Sequence, residues 1–384
     1  MSVNSIRGSK RSNVNQNGTV GEDQKTTSAF TVQEREAIQG IAGRKNLFKL
    51  LVDSLCPDIF GLDLVKAGLL LALFRGRENS VTRSNPHVLI VGDPGLGKSQ
   101  LLSAVASVAP RSVFVGANTS TAAGLTATLH QEGGPGEYAL EAGALVLADQ
   151  GCCCIDEFDK LTEHRVLLDV MEQQVVNVAK AGVVCSLSAR TSILAAANPV
   201  GGHYNHDKSI SQNIKLDEAL LSRFDLIFIL LDRPDQEIDR YLSEQILSKL
   251  SSSKSNSKSY NSQFTKAKSL NIQITQEADS MHSSTFLRNL ITKQNGNQSN
   301  LIPAQMLRKY ISYAQRFISP KLSPEAALVL KEFYLSCRKN EVSDGLPITT
   351  RQLESAIRLS EARAKAELRL TVTKEDAEDV IALM

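Results

Sequence analysis

Residues Gly92-Asp93-Pro94-Gly95-Leu96-Gly97-Lys98-Ser99 satisfy the spacing G-x-x-x-x-G-K-S directly after the apolar run His87-Val88-Leu89-Ile90-Val91. Each residue type there has a task in holding a polyphosphate. Glycines let backbone N–H groups close around phosphate oxygens, the lysine neutralises charge at the β and γ positions, and the serine hydroxyl ligates Mg²⁺. From Ser99 and Gln100 the chain runs into Leu101, Leu102, Val105 and Ala106, the start of an amphipathic helix whose N-terminus faces the anion. Gly92 to Ser99 together with Gln100 are therefore the candidate phosphate-binding residues, with ATP and Mg²⁺ as the expected ligands.

About fifty residues on, the strand-like run Cys152-Cys153-Cys154-Ile155 ends in Asp156-Glu157. A carboxylate pair at a strand end suits Asp156 to hold Mg²⁺ and Glu157 to orient or deprotonate the attacking water. The cysteines themselves alternate faces and cannot converge on one metal, so they read as small core filling. His203 and His206 have a metal-like spacing without a cysteine or acidic companion, and they read as a loop or an interface. Asn198 closes the run Ser192 to Ala197 before Pro199. Taken alone it reads as the start of a turn, and beside a catalytic carboxylate as a group that positions water. Arg223, in Leu220-Leu221-Ser222-Arg223-Phe224-Asp225, reads either as a surface ion pair or as a catalytic arginine.

These residues need a scaffold that brings strand ends together. Short apolar runs at Val88 to Val91, Ser112 to Val115, Cys152 to Ile155, Ser192 to Ala197 and Leu226 to Leu231 alternate with helical stretches. That alternation predicts an α/β fold, a buried parallel sheet covered by helices. Ahead of it, Leu47, Leu50, Leu51 and Leu55, then Leu64, Leu69, Leu70 and Leu73, predict two short helices on the sheet. Residues 1–30 are rich in Ser, Asn, Gly and Thr and read as a disordered lead-in, and the Ser/Asn-rich stretch 251–300 reads as a flexible insertion. The core is then 31–250, and 301–384 forms an all-helical lid. Its helices start at the Ser323-Pro324-Glu325 cap, near Pro347 and Thr349-Thr350, and at Thr373-Lys374-Glu375-Asp376, a capping box.

The net charge of +2 gives no bulk signal for nucleic acid, so any such contact must come from local lysines and arginines. Six cysteines without paired spacing fit a reducing intracellular compartment. With no apolar leader and no run near the roughly 20 residues that span a bilayer, a soluble protein without membrane contact is expected.

Taken together, Gly92 to Ser99, Leu140-Glu141-Ala142-Gly143-Ala144-Leu145-Val146-Leu147-Ala148-Asp149, Ile155-Asp156-Glu157-Phe158-Asp159-Lys160, Ala196-Ala197-Asn198-Pro199 and Ser222-Arg223-Phe224-Asp225 resemble the minichromosome maintenance (MCM) helicases, a branch of the AAA+ P-loop NTPases. The likeness covers roughly residues 45–250 and 300–384. Gly-Leu-Gly-Lys-Ser in the loop, Lys180-Ala181-Gly182-Val183-Val184-Cys185-Ser186-Leu187 and Pro199-Val200-Gly201-Gly202-His203-Tyr204-Asn205 are most similar to the eighth, recombination-associated branch.

The resemblance implies Lys98 as the Walker A lysine, Asp156 and Glu157 as Walker B, Asn198 as sensor 1 and Arg223 as an arginine finger serving a neighbouring subunit. Arg351 matches sensor 2, on a helix whose stripe of Leu353, Ile357 and Ala364 is expected to be buried, with Arg358 and Lys365 on the exposed side. Taken alone, Arg351 reads as part of an ordinary basic helix face. Gly124 to Ala142 resembles the helix-2 insert, and Val175 to Ser188 the pre-sensor-1 hairpin, whose Lys180 would meet a DNA phosphate. As an isolated residue, Lys180 is a solvated turn lysine. The implied protein is a nuclear ATP-dependent helicase motor acting in homologous-recombination repair. Its implied partners are single-stranded DNA and other MCM subunits in a hexameric ring, the ninth paralogue among them.

A replicative subunit is the second reading. Members also carry an N-terminal collar and often a C-terminal winged helix; neither reads out of these residues, which leaves open a regulatory ATPase module that does not unwind DNA. Deleting residues 251–300 is expected to leave nucleotide affinity unchanged in an equilibrium binding measurement, and a loss of affinity would contradict the surface-loop reading.

Overall fold

The computed structural model describes residues 30–78, 82–131, 138–161, 164–180, 183–205, 210–214, 216–231, 239–240, 243, 247, 301–339 and 348–384. The lead-in expected before residue 30, the insertion expected over 251–300, His206 and both hairpin tips lie outside these residues. Of the chain's two compact units, residues 1–43 and 44–384, the first is described here through α1 (Val32–Ala42). Its start is fixed by a capping box in which Thr31 and Glu34 satisfy each other's backbone N–H groups.

In the second unit, β1 (Val88–Gly92), β2 (Ser112–Gly116), β5 (Cys152–Asp156), β8 (Ser192–Ala197) and β9 (Leu226–Leu230) form one parallel sheet in the order β2-β5-β8-β1-β9. These are the five runs expected from the sequence, each within a residue of its reading. Central strands buried on both faces need continuous apolar residues, and β1 and β8 are buried along their whole length. Cys152, Cys153 and Cys154 fill that interior as small apolar side chains. Burial pushes the Cys153 thiol up to about 12, which removes its reactivity at neutral pH.

The register aligns Gly116 with Asp156, Ile155 with Ala195, Ala197 with Val91 and Gly92 with Leu230. The carboxyl ends of all five strands therefore share one edge of the sheet. Two antiparallel hairpins project from this core, β3 (Ala127–Gln131) with β4 (Tyr138–Ala142), and β6 (Val175–Lys180) with β7 (Val183–Ser188). They coincide with the two expected inserts, and β3 packs against β6.

Helices α2 (Leu47–Leu55), α3 (Asp63–Phe74) and α4 (Lys98–Val108) flank the sheet. α3 lies directly on it: a Cβ at Gly68 would sit 2.5 Å from the Phe228 ring, so only glycine allows that approach. α2 packs against α3 and α4. Short α5 (Ala122–Leu125) and α6 (Ala144–Leu147) precede and follow the first hairpin. α7 (Arg165–Gln173) leads into the second, and α8 (Ile210–Ile214) and α9 (Glu218–Leu221) precede β9.

The lid comprises α10 (Ala304–Phe317), α11 (Pro324–Lys339), α12 (Thr350–Ala366) and α13 (Lys374–Leu383), with the short parallel pair β10 (Lys321–Leu322) and β11 (Thr371–Val372). Its caps are those anticipated. Ser323 Oγ accepts from Ala326 N–H, Gln352 reaches back to Thr349 N–H, and Thr373 and Asp376 form a capping box. No helix among the described residues is long and apolar enough to cross a membrane.

One expectation for α12 fails. Leu353 and Ile357 are half-buried and pack, with buried Ala364, against the lid's own core of Ala326, Leu330, Val372 and Ala377. Arg358 and Lys365 are buried as well, at 3% and 4% exposure. They lie about 100° round the helix from that stripe, on a flank that meets the core module, where Asp225, the Arg83 and Gly76 carbonyls and Glu361 supply partners. Lys365 donates to the Gly76 carbonyl at 2.6 Å, and burial lowers its pKa to about 8 against the pull of Glu361. Glu361 in turn accepts the Arg77 N–H at 2.7 Å.

Arg358 and Ser355 both donate to Asp225, a carboxylate with no exposed side-chain surface. Arg83 donates to the same group at 3.2 Å, and the His87 N–H at 2.6 Å. Burial acts to raise the Asp225 pKa, but the two guanidiniums outweigh it and hold the group below its ordinary value. His87 is also fully buried, and burial first, then Arg83, keeps it neutral well below its ordinary pKa.

Removing one partner of a buried ion pair costs about 3–5 kcal/mol. Arg358→Ala is expected to lose about that much in urea unfolding at pH 7. Because the folded pKa of Asp225 is depressed, its contribution is fully present above the unfolded value and disappears as pH falls through the folded one. The variant should therefore show a shallower acid limb below pH ~4 than the native chain.

Candidate active site

The loop after β1 reverses through Gly95 and Gly97 at φ of 92° and 79°, a left-handed backbone that glycine adopts without strain. Gly97 caps α4 with no side-chain bond, which leaves the first-turn N–H groups for an external anion. Lys98 is 7% exposed and donates to the carbonyls of Gly92 and Asp93, both at 2.7 Å. Burial lowers its pKa, opposed by the negative charges of Asp156, Asp93 and Asp159. Pro94, Gly95, Ser99 and Gln100 are exposed and Leu96 is half-buried, which opens the loop's rim to solvent.

Two neighbours of the loop escaped the sequence reading. A Cβ at Gly97 would lie 3.3 Å from Ile59, whose carbonyl is held by Lys66 Nζ at 2.6 Å. On the other side Asp93 accepts the Tyr204 N–H at 3.2 Å, with His203 Nδ1 at 3.6 Å. His203 is thus a loop residue beside the phosphate site, in line with the loop reading. Among the described residues no group of three His, Cys, Asp or Glu could hold a metal by itself.

Asp156 ends β5 on the same sheet edge, two strands from Gly92. Glu157 follows at φ 55°, ψ 40°, an unusual conformation for a non-glycine residue of the kind that clusters at functional sites. Its N–H donates to Asp156 Oδ1 at 2.9 Å. Its carboxylate is held on both oxygens, by Asn118 Nδ2 at 2.5 Å and by Lys160 at 3.1 Å. Asn118 was not read as functional, because only the register of Gly116 beside Asp156 places it there. Asn198 follows β8, between the other two strand ends, and Asp159 Oδ1 accepts its N–H at 3.0 Å. Lys98, Asp156, Glu157 and Asn198 thus gather at one edge. A serine hydroxyl and a carboxylate are the hard oxygen ligands that suit Mg²⁺ alongside phosphate and water.

The two other expected residues are elsewhere. Arg223 follows α9 and precedes Asp225, whose neighbours are His87, just ahead of β1, and Leu226, the first residue of β9. It therefore lies at the amino edge of the sheet, a strand's length of about 16 Å from the phosphate loop. There Glu172, at the end of α7, accepts from Arg223 Nη2 at 2.5 Å and from Arg351 Nη2 at 2.9 Å. Arg351 also donates to Ser222 Oγ at 3.2 Å. The pair of arginines is brought together with itself and not with Lys98. Lys180 ends β6 opposite Val183, beside the hairpin tip. Among the hairpin's described side chains the exposed ones, Asn177, Val184, Ser186 and Ser188, carry no charge.

The family model described as "MCM P-loop domain" matches residues 34–250, and that of the "MCM AAA-lid domain" matches 305–384. The chain is 52% identical to a DNA helicase MCM8 of Gallus gallus over 94% of its own length and 44% of that protein. It is 50% identical to the DNA helicase MCM8 of Homo sapiens, over 92% of this chain and 43% of the relative. A probable DNA helicase MCM8 of Arabidopsis thaliana is 49% identical over 88% and 43%. The chain thus spans less than half the length of these curated relatives.

Gly97→Ala would add a side chain at positive φ and push it against Ile59. A loss of nucleotide affinity of tenfold or more, read by equilibrium titration of a protein whose thermal unfolding stays cooperative, is the expected outcome.

Proposed function

From a chain that belongs to the MCM family of AAA+ P-loop proteins, we propose the ATP-hydrolysing motor of a DNA helicase that translocates on single-stranded DNA in homologous-recombination repair. The observation that carries this reading is the division of the catalytic residues between two edges of one sheet. Lys98, Asp156, Glu157 and Asn198 stand at the carboxyl edge, and Arg223 and Arg351 at the amino edge. Across that span the arginines cannot serve their own chain's nucleotide, so a complete site needs a second subunit. A closed ring supplies every site with both halves. Its other members are MCM subunits of the same or another kind, with the ninth paralogue as the expected heterologous partner and the nucleus as the expected location.

The residues divide the chemistry as follows. The loop N–H groups and Lys98 hold the β- and γ-phosphates. Ser99 and Asp156 are the residues that would hold Mg²⁺ with waters, and the ion would supply charge neutralisation on the phosphoryl oxygens. Glu157, once released from Asn118 and Lys160, takes a proton from the attacking water on a carboxylate oxygen, and Asn198 orients that water. Arg223 of the adjoining subunit meets the charge that builds on the transferring group, an effect worth roughly 10³-fold or more. The Lys180 tip meets DNA phosphates without reading sequence. The likeness to the eighth branch supports the repair assignment.

Single-stranded DNA should raise ATP turnover, and both Lys98→Ala and Glu157→Gln should abolish the stimulated rate in a steady-state phosphate-release assay. Wild-type turnover by Glu157→Gln would remove that residue as the base. Turnover that DNA fails to raise would favour a regulatory ATPase module over a motor.

A further inference from the structure

Two arginines from different parts of the chain end on one carboxylate at the amino edge of the sheet. Arg223 comes from the loop after α9, and Arg351 from the first turn of lid helix α12. Glu172 Oε2 accepts from Arg223 Nε at 3.1 Å and Nη2 at 2.5 Å, and Oε1 accepts from Arg351 Nη2 at 2.9 Å. The two oxygens are thus shared out, one to each guanidinium. A phosphoryl group offers two guanidiniums the same arrangement of anionic oxygens. Burial raises the Glu172 pKa and the arginine bonds lower it further, so the carboxylate stays ionised. Its side chain is 49% exposed and that of Arg351 36% exposed, which leaves the cluster open to an arriving anion.

We propose that Glu172 is an internal placeholder that binds Arg223 and Arg351 as one cationic pair and must be displaced by the phosphoryl group of a nucleotide carried by a second copy of this chain. This rests on the reading above that the two arginines act across an interface. It goes beyond that reading by giving Glu172 a cost in nucleotide affinity: the arginines exchange one anion for another, and only the difference favours the complex. Two rigid anchors keep the exchange local. Arg83 donates to the backbone carbonyls of Met171 and Arg223 at 3.1 and 2.8 Å, and Arg223 Nη1 donates to the Ala219 carbonyl at 2.7 Å. Arg83 thus fixes the backbone on both sides of the ion pair, and the Ala219 carbonyl holds one arm of the Arg223 guanidinium while Nε and Nη2 change partner.

The test combines two inactive chains without DNA. Lys98→Ala supplies arginines but binds no nucleotide, and Arg223→Ala binds nucleotide but supplies no finger. Their mixture is expected to hydrolyse ATP where each alone does not, and failure of that mixture would overturn the interface reading itself. With the mixture active, Glu172→Ala added to the Lys98→Ala chain should lower the KM for ATP roughly fivefold, the scale of a half-exposed charge cluster. Glu172→Gln, which keeps an acceptor and loses the charge, should fall between. A KM unchanged or raised in Glu172→Ala, with thermal unfolding as in the parent chain, would overturn the placeholder. So would an effect confined to the affinity for single-stranded DNA, because the arginines would then serve the DNA backbone.

Discussion

Asp225 is the group on which the arrangement of this molecule turns. A carboxylate removed from water is tolerated only when paired and hydrogen-bonded. Here it collects Arg83 from the segment ahead of β1, Arg358 and Ser355 from the lid helix, and the His87 N–H at the foot of the central strand. Arg358 Nε also donates to the Arg83 carbonyl at 2.8 Å, so the two cations are tied to each other as well as to the anion. Such a cluster adds little net stability over an apolar one of equal volume, since desolvation consumes most of the Coulombic gain. What it adds is directionality: apolar surfaces could slide, whereas these donors have one set of acceptors.

That directionality reaches the chemistry through two short steps of chain. Arg223 lies two residues before Asp225, and its carbonyl is held by Arg83. Arg351 lies one helical turn before Ser355 on the same helix that Asp225 pins. Core and lid thus present their arginines together on Glu172, and a shift of the lid would carry Arg351 away from Arg223. At the other edge of the sheet the design is different. The phosphate loop, Asp156, Glu157 and Asn198 sit on strand ends whose register is fixed by an apolar interior. One edge is positioned by packing and the other by charge.

Glu157 shows the same economy on a smaller scale. Its left-handed backbone, the Asp156 bond to its own N–H and the grip of Asn118 and Lys160 place a carboxylate where a water could be activated, while both of its oxygens are engaged. A carboxylate engaged on both oxygens can take a proton from water only after a partner lets go, which links turnover to movement of the β2 end and of the turn after β5.

Much of this was written locally. The spacing of Gly92 to Ser99, the five apolar runs and the caps at Ser323, Thr349 and Thr373 were legible in the sequence, because each depends on residues within a few positions of one another, whereas both hairpins were expected from the family resemblance. Periodicity and backbone preference act at that range. The burial of Arg358 and Lys365 was not legible. A charged residue beside an apolar stripe has the signature of a solvated face, and only the tertiary fold brings Asp225 and the Gly76 carbonyl to meet it. Asn118, Glu172 and Ile59 were hidden for the same reason, since each acts through a partner distant in sequence. The sequence by itself determined which groups could bind and cleave a phosphoanhydride. The tertiary structure alone decided that Arg223 and Arg351 stand a strand's length from the phosphate loop, because strand direction and register set which edge of the sheet each residue occupies.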